Sequence, residues 1–181
     1  MPSLSVFSAS HPQQPGKVFG WPEHVSATLA ELGVYYAHCL PVTPLNKTSN
    51  DAEVLDAYAA PVAQMLGMGA GLSAQVVRIS HGQAPLDAPH GHCLDEHSHS
   101  EDERHLFVAG QALLSLHAGE MVFQLLCERG DLLVIPAGTR HWLDVGSQEN
   151  CVLIRVLGSV EGGQVTLSGD PIAAGFARLE D

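Results

Sequence analysis

The sequence predicts a small, mainly β barrel with a few helices at its N-terminal side and a short C-terminal helix. From residue 105 to residue 167, short runs of β-forming residues follow one another, and glycines separate them. Strands that recur every 8 to 12 residues or so, with turn signals between them, are typical of all-β sandwiches and barrels. The length of 181 residues and the apolar content of 45% suit a chain with a real core. We therefore expect residues 1–181 to form a single domain.

The N-terminal part of the chain is expected to mix helices and strands. Its predicted elements are strands at 4–8, 34–39 and 74–79 and helices at 23–32 and 51–66. The first helix has apolar residues at helical spacing and stops at Gly33. The second helix follows Asn50, a good N-cap, and Pro61 must kink or interrupt it because proline has no backbone N–H.

The rest of the chain reads as strands joined by turns, after a Pro- and His-rich loop that ends near Asp95. The strands are predicted at 105–108, 112–116, 121–127, 132–135, 141–145, 152–157 and 165–167. A short helix within 170–179 would end the chain.

The composition argues against several classes of partner. The chain carries 20 acidic and 8 basic residues, a net charge of −12, whereas nucleic acids and anionic membranes attract a cationic surface. No apolar run is long enough to span a bilayer, and the N-terminus does not read as a signal peptide. The four cysteines are irregularly spaced, without a C-x-x-C pair. We expect a cytoplasmic protein with reduced thiols and no nucleic-acid or membrane partner.

Histidine is the unusual residue, with 11 copies in the chain. His97 and His99 stand at i and i+2, so on a strand both imidazoles point to the same face. If that strand continues, Glu103 is in phase with them, and His141 follows a turn that would aim its side chain inward. Three imidazoles and a carboxylate suit divalent iron, nickel, manganese, cobalt or zinc, and they leave two octahedral positions open for a reaction. His105 shares the same phase and would face the substrate.

Simpler explanations exist for individual histidines. The H-x-H pattern is common by chance, so His97 and His99 alone do not establish a metal site. His90 and His92 form a second such pattern, which we interpret as loop residues. His117 is expected on the surface of a strand or turn.

The surrounding residues resemble the two sequence motifs of the cupin superfamily, a double-stranded β-helix barrel with a metal inside. The matching positions are Gly91, His97, His99, Glu103 and Gly110 in the first motif and Gly130, Pro136, Gly138 and His141 in the second. The asparagine that usually ends the second motif is replaced by Val145. The motifs indicate the fold and a metal, but no particular reaction.

Nearly the whole chain is similar to the bacterial acireductone dioxygenases of methionine salvage. The similarity is densest at 96–103 (Glu-His-Ser-His-Ser-Glu-Asp-Glu), 122–127 and 131–142. It implies that His97, His99, Glu103 and His141 bind one Fe(II) or Ni(II) ion, and that an enediol substrate chelates this ion for reaction with O2. In this family iron gives a 2-keto acid and formate, whereas nickel gives a shorter carboxylic acid, formate and carbon monoxide. The bacterial members of this family are usually monomers, so the resemblance also implies a monomer.

The residues expected around the substrate depart from the family pattern. His105 stands where an arginine usually neutralises the substrate anion, and Arg104 is one position too early and should point to the other face. Arg155 matches a family arginine. Three further departures fall where aromatic residues are usual: Cys93, Leu143 and Gly163.

Three hypotheses follow from this pattern. The first is an acireductone dioxygenase, and the second is a related metalloenzyme with a different substrate in a specialised pathway. The third is a cupin that senses a ligand without turnover, which the intact set of four ligands disfavours.

Overall fold

Two antiparallel β-sheets form the core of the protein in a computed structural model that describes residues 2–79, 94–146, 151–158 and 164–180. The strands are β1 (Ser3–Ser8), β2 (Lys17–Phe19), β3 (Tyr35–His38), β4 (Ser73–Ile79), β5 (His97–His99), β6 (Glu103–Ala109), β7 (Ala112–Ala118), β8 (Met121–Cys127), β9 (Asp131–Ile135), β10 (Arg140–Asp144), β11 (Cys151–Leu157) and β12 (Val165–Leu167). The helices are α1 (Pro22–Ala30), α2 (Asp51–Ala57), α3 (Ala59–Leu66) and a 3-10 helix (Pro171–Gly175).

The larger sheet has seven strands in the order β12-β5-β10-β7-β8-β1-β2, and the smaller has five in the order β3-β9-β6-β11-β4. Alternation along each strand separates two sets of side chains. On β6, Phe107 packs in the main core, which also contains Leu114 and Leu116 of the other sheet. Leu106 and Val108 of β6 pack instead in a second core with the two helices α2 and α3. The main core therefore lies between the sheets, as the predicted cupin barrel requires.

The helical region confirms the predicted break. Asn50 accepts a hydrogen bond from the backbone N–H of Glu53, whose side chain accepts one from the N–H of Asn50, so both orphan donors at this helix start are satisfied. The helix then stops at Tyr58, and a new one begins at Ala59. Pro61 lies in the first turn of this second helix, where its missing N–H costs little.

The strand prediction missed two details, and the C-terminal helix is of the 3-10 type. The strand of His97 does not continue to Glu103: β5 ends at His99 and β6 begins at Glu103 in the other sheet. The predicted short C-terminal helix is confirmed as a 3-10 helix, Pro171–Gly175, which Asp170 caps through the N–H of Ile172. The short strand β2 was not predicted, since Lys17–Phe19 is too short to show alternation.

The remaining strand predictions are confirmed within about two residues at each end. Within the described residues, no helix is long and apolar enough to cross a membrane. The predictions for His90, His92, Cys93 and Gly163 fall outside the described residues.

Candidate metal centre

Two neighbouring strands and one turn bring the histidines together. β5 pairs with β10 so that His97 lies directly opposite His141, and both side chains project from the same face. The turn before β10 contains Gly138, whose positive φ of 78° suits glycine. The N–H of Gly138 donates to the carbonyl of His99 at 2.9 Å. The turn that aims His141 is thus tied to the strand that carries the other two histidines.

The three imidazoles form a compact, buried cluster. Ring centroids are 4.4 Å apart for His97 and His141, 5.2 Å for His97 and His99, and 5.6 Å for His99 and His141. Each histidine offers one nitrogen, and these nitrogens lie within 4.8 Å of one another. Glu103 enters from the opposite sheet: its Oε2 lies 2.9 Å from Nε2 of His141, and its Oε1 lies 3.3 Å from Nε2 of His99. The four residues expected from the sequence therefore converge, although Glu103 arrives by a different strand.

Backbone carbonyls orient two of the rings. Nδ1 of His97 lies 2.9 Å from the carbonyl oxygen of Asp95, and Nδ1 of His141 lies 2.9 Å from that of Thr139. A carbonyl oxygen only accepts, so in both rings Nδ1 carries the proton and Nε2 is directed to the cluster. This arrangement is common around metal-binding histidines. The sequence could not reveal it, because the acceptors are main-chain atoms.

The electrostatics of the cluster favour a neutral His97 next to an ionised Glu103, whereas Glu103 favours the protonated form of His141. Burial, assisted by the nearby His141, lowers the pKa of His97 to about 4. Burial opposes ionisation of Glu103, but the adjacent histidines, His141 foremost, outweigh it and bring the pKa of Glu103 to about 2. For His141, burial lowers the pKa, yet the carboxylate of Glu103 more than compensates, so the pKa is raised. Neutral His97 and ionised Glu103 are in the forms that bind a metal cation, and His141 reaches that form when it releases its proton.

His105 and Arg155 lie next to this cluster, inside the barrel. They are directly opposite each other on β6 and β11. Nη2 of Arg155 donates to Oε1 of Glu103 at 3.4 Å, and Nε2 of His105 lies 3.6 Å from the same oxygen, too far for a hydrogen bond. Burial lowers the pKa of His105, and it lowers that of Arg155 to about 10. Nε and Nη1 of Arg155 and Nε2 of His105 are buried without a hydrogen-bond partner. These groups can therefore donate to an anion bound in the barrel.

Arg104 and Leu143 lie where strand alternation puts them. Arg104 binds the backbone carbonyl and the carboxylate of Asp102, and it faces away from His105 as expected. Leu143 packs in the main core, two residues along β10 from His141 and on the same face. Leu143 thus contributes to the floor of the barrel where the family usually has an aromatic residue.

The prediction for His117 was wrong, because its side chain is buried. Its Nδ1 lies 2.5 Å from Oε2 of Glu96, and its Nε2–H donates to the carbonyl of Gly119 at 3.0 Å. Nη1 of Arg140 lies 3.7 Å from the other oxygen of Glu96. Glu96, His117 and Asp170 have atoms close enough to hold a metal ion. Both nitrogens of His117 are already engaged, so we interpret this outer cluster as an ion-pair network.

A barrel of two antiparallel sheets with three imidazoles and a carboxylate converging inside it defines a metal-binding cupin. Residues 13–164 match the family model described as the ARD/ARD' family. The chain belongs to this family.

Relatives and one solved structure agree with this membership. The chain is 39% identical to an acireductone dioxygenase of Pseudomonas fluorescens and 38% identical to one of Stutzerimonas stutzeri, over 181 residues and the full length of both chains in each case. It is also similar to the structure of an acireductone dioxygenase from Bacillus anthracis with a cadmium ion in its active centre. That likeness has a TM-score of 0.71 at 22% identity and covers 89% of this chain and 95% of the other, which supports the fold.

Proposed function

We propose that this protein is an acireductone dioxygenase, which uses O2 to cleave carbon–carbon bonds of a 1,2-dihydroxy-3-keto substrate in methionine salvage. One observation carries the proposal: the His97, His99, Glu103 and His141 cluster converges inside the barrel of a chain that is 39% identical, along its full length, to an acireductone dioxygenase.

We assign His97, His99, Glu103 and His141 as the ligands of one Fe(II) or Ni(II) ion. Their donor set fits either ion, since Nε2 of His97 and His141 is directed inward by a backbone carbonyl and Glu103 is ionised. A metal ion bound there supplies Lewis acidity to the two oxygens of a chelating enediol and an electronic route to O2. The protein holds the ligands in register through the β5–β10 pair.

We assign His105 and Arg155 to contact the substrate. Arg155 is fully buried, and two of its guanidinium nitrogens have no partner, so they are available to hydrogen-bond an enediolate oxygen. His105 adds a neutral imidazole opposite Arg155 where the family has a second cation. The buried position of both residues excludes water and strengthens their attraction for the anion.

The altered residue at position 105 supports a second candidate, a related metalloenzyme acting on a different substrate. With one permanent cation instead of two beside the chelation site, the pocket neutralises less negative charge. A metal-binding cupin without turnover is the third candidate. The intact ligand set argues against it, because nothing would maintain all four ligands once turnover was lost.

The test is anaerobic reconstitution of the purified protein with Fe(II) or Ni(II), followed by O2 uptake with a freshly generated acireductone. We expect rapid O2 uptake with release of formate, and the keto acid or carbon monoxide identifies which reaction each metal supports. Protein loaded with redox-inert Zn(II) is the control. No uptake by iron- or nickel-loaded protein would contradict the proposal and favour the second candidate.

Three broader expectations accompany this proposal. We propose a single domain over 1–181, a monomer, and a cytoplasmic enzyme whose partners are a small-molecule enediol and O2. The net charge of −12 supports the expectation that nucleic acid is not a partner. Light scattering after size-exclusion chromatography tests the monomer.

A further inference from the structure

The turn between β5 and β6 carries a proposed metal ligand at each end. His99 is the last residue of β5 and Glu103 is the first of β6, so residues 100–102 take the chain from the larger sheet to the smaller one. The start of this turn is fixed by its neighbour in space. The N–H of Ser100 donates to the carbonyl of Gln164, and the N–H of Gln164 donates to Oγ of Ser100. The spacing of the two ligands therefore depends on how firmly the rest of the turn is held.

The turn before β10 is attached to both ends of the β5–β6 turn. The N–H of Gly138 donates to the carbonyl of His99 at 2.9 Å. The preceding N–H, of Ala137, donates to Oδ1 of Asp102 at 3.0 Å. The first acceptor belongs to a proposed ligand, and the second belongs to the residue directly before Glu103. Two consecutive N–H groups thus join the turns, and one of the two acceptors is a side chain that a substitution can remove.

The guanidinium of Arg104 fixes the carboxylate of Asp102. Nη2 of Arg104 donates to Oδ2 of Asp102 at 3.2 Å, and Nη1 donates to the carbonyl of Asp102 at 3.1 Å. The side chain of Asp102 is 44% exposed, whereas that of Arg104 is only 8% exposed. A planar group with two engaged donors restricts the carboxylate to one orientation. Oδ1 of Asp102 is then presented to Ala137, two residues before the carbonyl of Thr139 that orients His141.

We propose that Asp102 is a positioning residue of the metal centre, because its carboxylate joins the turn before β10 to the β5–β6 turn. These two turns carry three of the four proposed ligands: His99, Glu103 and His141. Asp102 does not bind the ion in this proposal and acts through those ligands. Outer partners that orient metal ligands commonly change metal affinity about 10- to 100-fold. The inference rests on the proposed function, since it concerns the ion that these ligands would hold.

A purely structural role for Asp102 makes a different prediction. If its hydrogen bonds stabilise only the fold, their loss lowers the stability of the metal-free and the metal-loaded protein equally. The affinity of the folded protein for the metal then stays the same. Metal affinity and the stability of the metal-free chain must therefore be measured on the same variants.

Titration of the metal-free, full-length protein with Co(II), in competition with a chelator, tests the proposal. Co(II) accepts nitrogen and oxygen donors, and its visible absorption depends on the number and arrangement of its ligands. We expect Asp102→Ala to raise the dissociation constant for Co(II) about tenfold and to change the visible spectrum. Asp102→Asn keeps an acceptor oxygen for Ala137, so its dissociation constant should stay within about threefold of the wild-type value. Arg104→Met frees the carboxylate and should give an intermediate value.

Glu101→Ala is the matched control. It removes a carboxylate from the same turn, and so the same charge near the ion, but the carboxylate of Glu101 lies next to Gly158, just after β11. The dissociation constant for Co(II) should stay within about twofold of the wild-type value. Urea unfolding of each metal-free variant measures the stability of the fold separately.

The possible results separate this inference from the proposed function. Wild-type Co(II) affinity and spectrum in Asp102→Ala, with or without lower stability, overturn the positioning role and leave the ligand assignment intact. An equal loss of affinity in Glu101→Ala also overturns it, because charge alone would then explain the effect. If Asp102→Ala does not fold, wild-type affinity and spectrum in Arg104→Met overturn the inference. Absence of Co(II) binding by the wild-type protein overturns the ligand assignment, and the proposed function with it.

Discussion

The two faces of the large sheet each carry a buried cluster of histidine and carboxylate, and the clusters differ in how far their polar atoms are satisfied. On the inner face, His97 and His141 direct one nitrogen each into the barrel, and Arg155 keeps unpartnered donors beside them. On the outer face, His117 uses both ring nitrogens on Glu96 and on a backbone carbonyl. The same residue types therefore make a binding site on one face and a structural contact on the other.

Strand alternation creates this difference. On β10, Arg140 points outward to Glu96, whereas the next residue, His141, points inward. Buried polar groups normally find partners inside the protein, so unsatisfied donors are expected where a ligand completes them. Three such donors, on Arg155 and His105, lie in the inner cluster; Tyr58 Oη and Arg104 Nε also lack a hydrogen-bond partner among the described residues.

Replacing a proposed metal ligand should have the largest effect. We expect His141→Ala to lower metal content to a small fraction of one ion per chain and to reduce O2 uptake more than about 100-fold, because three remaining donors hold the ion weakly. Metal analysis of the purified variant and its circular dichroism check this result. Full metal occupancy with a folded barrel would contradict the ligand assignment of His141.

Replacing the outer histidine should affect stability instead. We expect His117→Gln to lower the free energy of unfolding by roughly 2 to 3 kcal/mol, because the buried carboxylate of Glu96 loses its closest partner. Denaturant unfolding of the metal-loaded protein measures the change. Metal content should stay near one ion per chain. Loss of the metal without loss of stability would mean that the two faces are coupled.

The contrast between the faces also explains what the sequence could predict. The barrel follows from glycine-punctuated strands, and the ligand set follows from motif spacing and the resemblance. The position of Glu103 on a separate strand was missed, because three intervening residues, 100–102, fit a continuous strand as well as a turn. The burial of His117 was missed because its partner Glu96 lies 21 residues away, just before β5, and such a long-range contact leaves no local sequence pattern.

Restoring the family cation should have an intermediate effect inside the barrel. If the pocket accepts the usual substrate of the family but neutralises its negative charge less well, His105→Arg should raise kcat/KM for a standard acireductone about tenfold. This change corresponds to about 1.4 kcal/mol of transition-state stabilisation. Arg155→Lys is the matched comparison, since it keeps the charge opposite His105 but loses the planar donor pair. Unchanged or lower kcat/KM in His105→Arg would indicate a pocket built for another substrate.

The smallest effect is expected at a hydrogen bond outside both clusters. Its contribution to stability is a reference for the effects expected within the clusters. Asn50 caps α2 through a reciprocal pair with Glu53 on the surface. Asn50→Ala should lower the free energy of unfolding by about 1 kcal/mol, because water replaces the lost partner at this exposed helix end. Metal content and O2 uptake should not change. If Asn50→Ala lowered the free energy of unfolding as much as His117→Gln, the buried contact between Glu96 and His117 would contribute no more than a surface hydrogen bond. That result would contradict the expected difference between buried and exposed contacts.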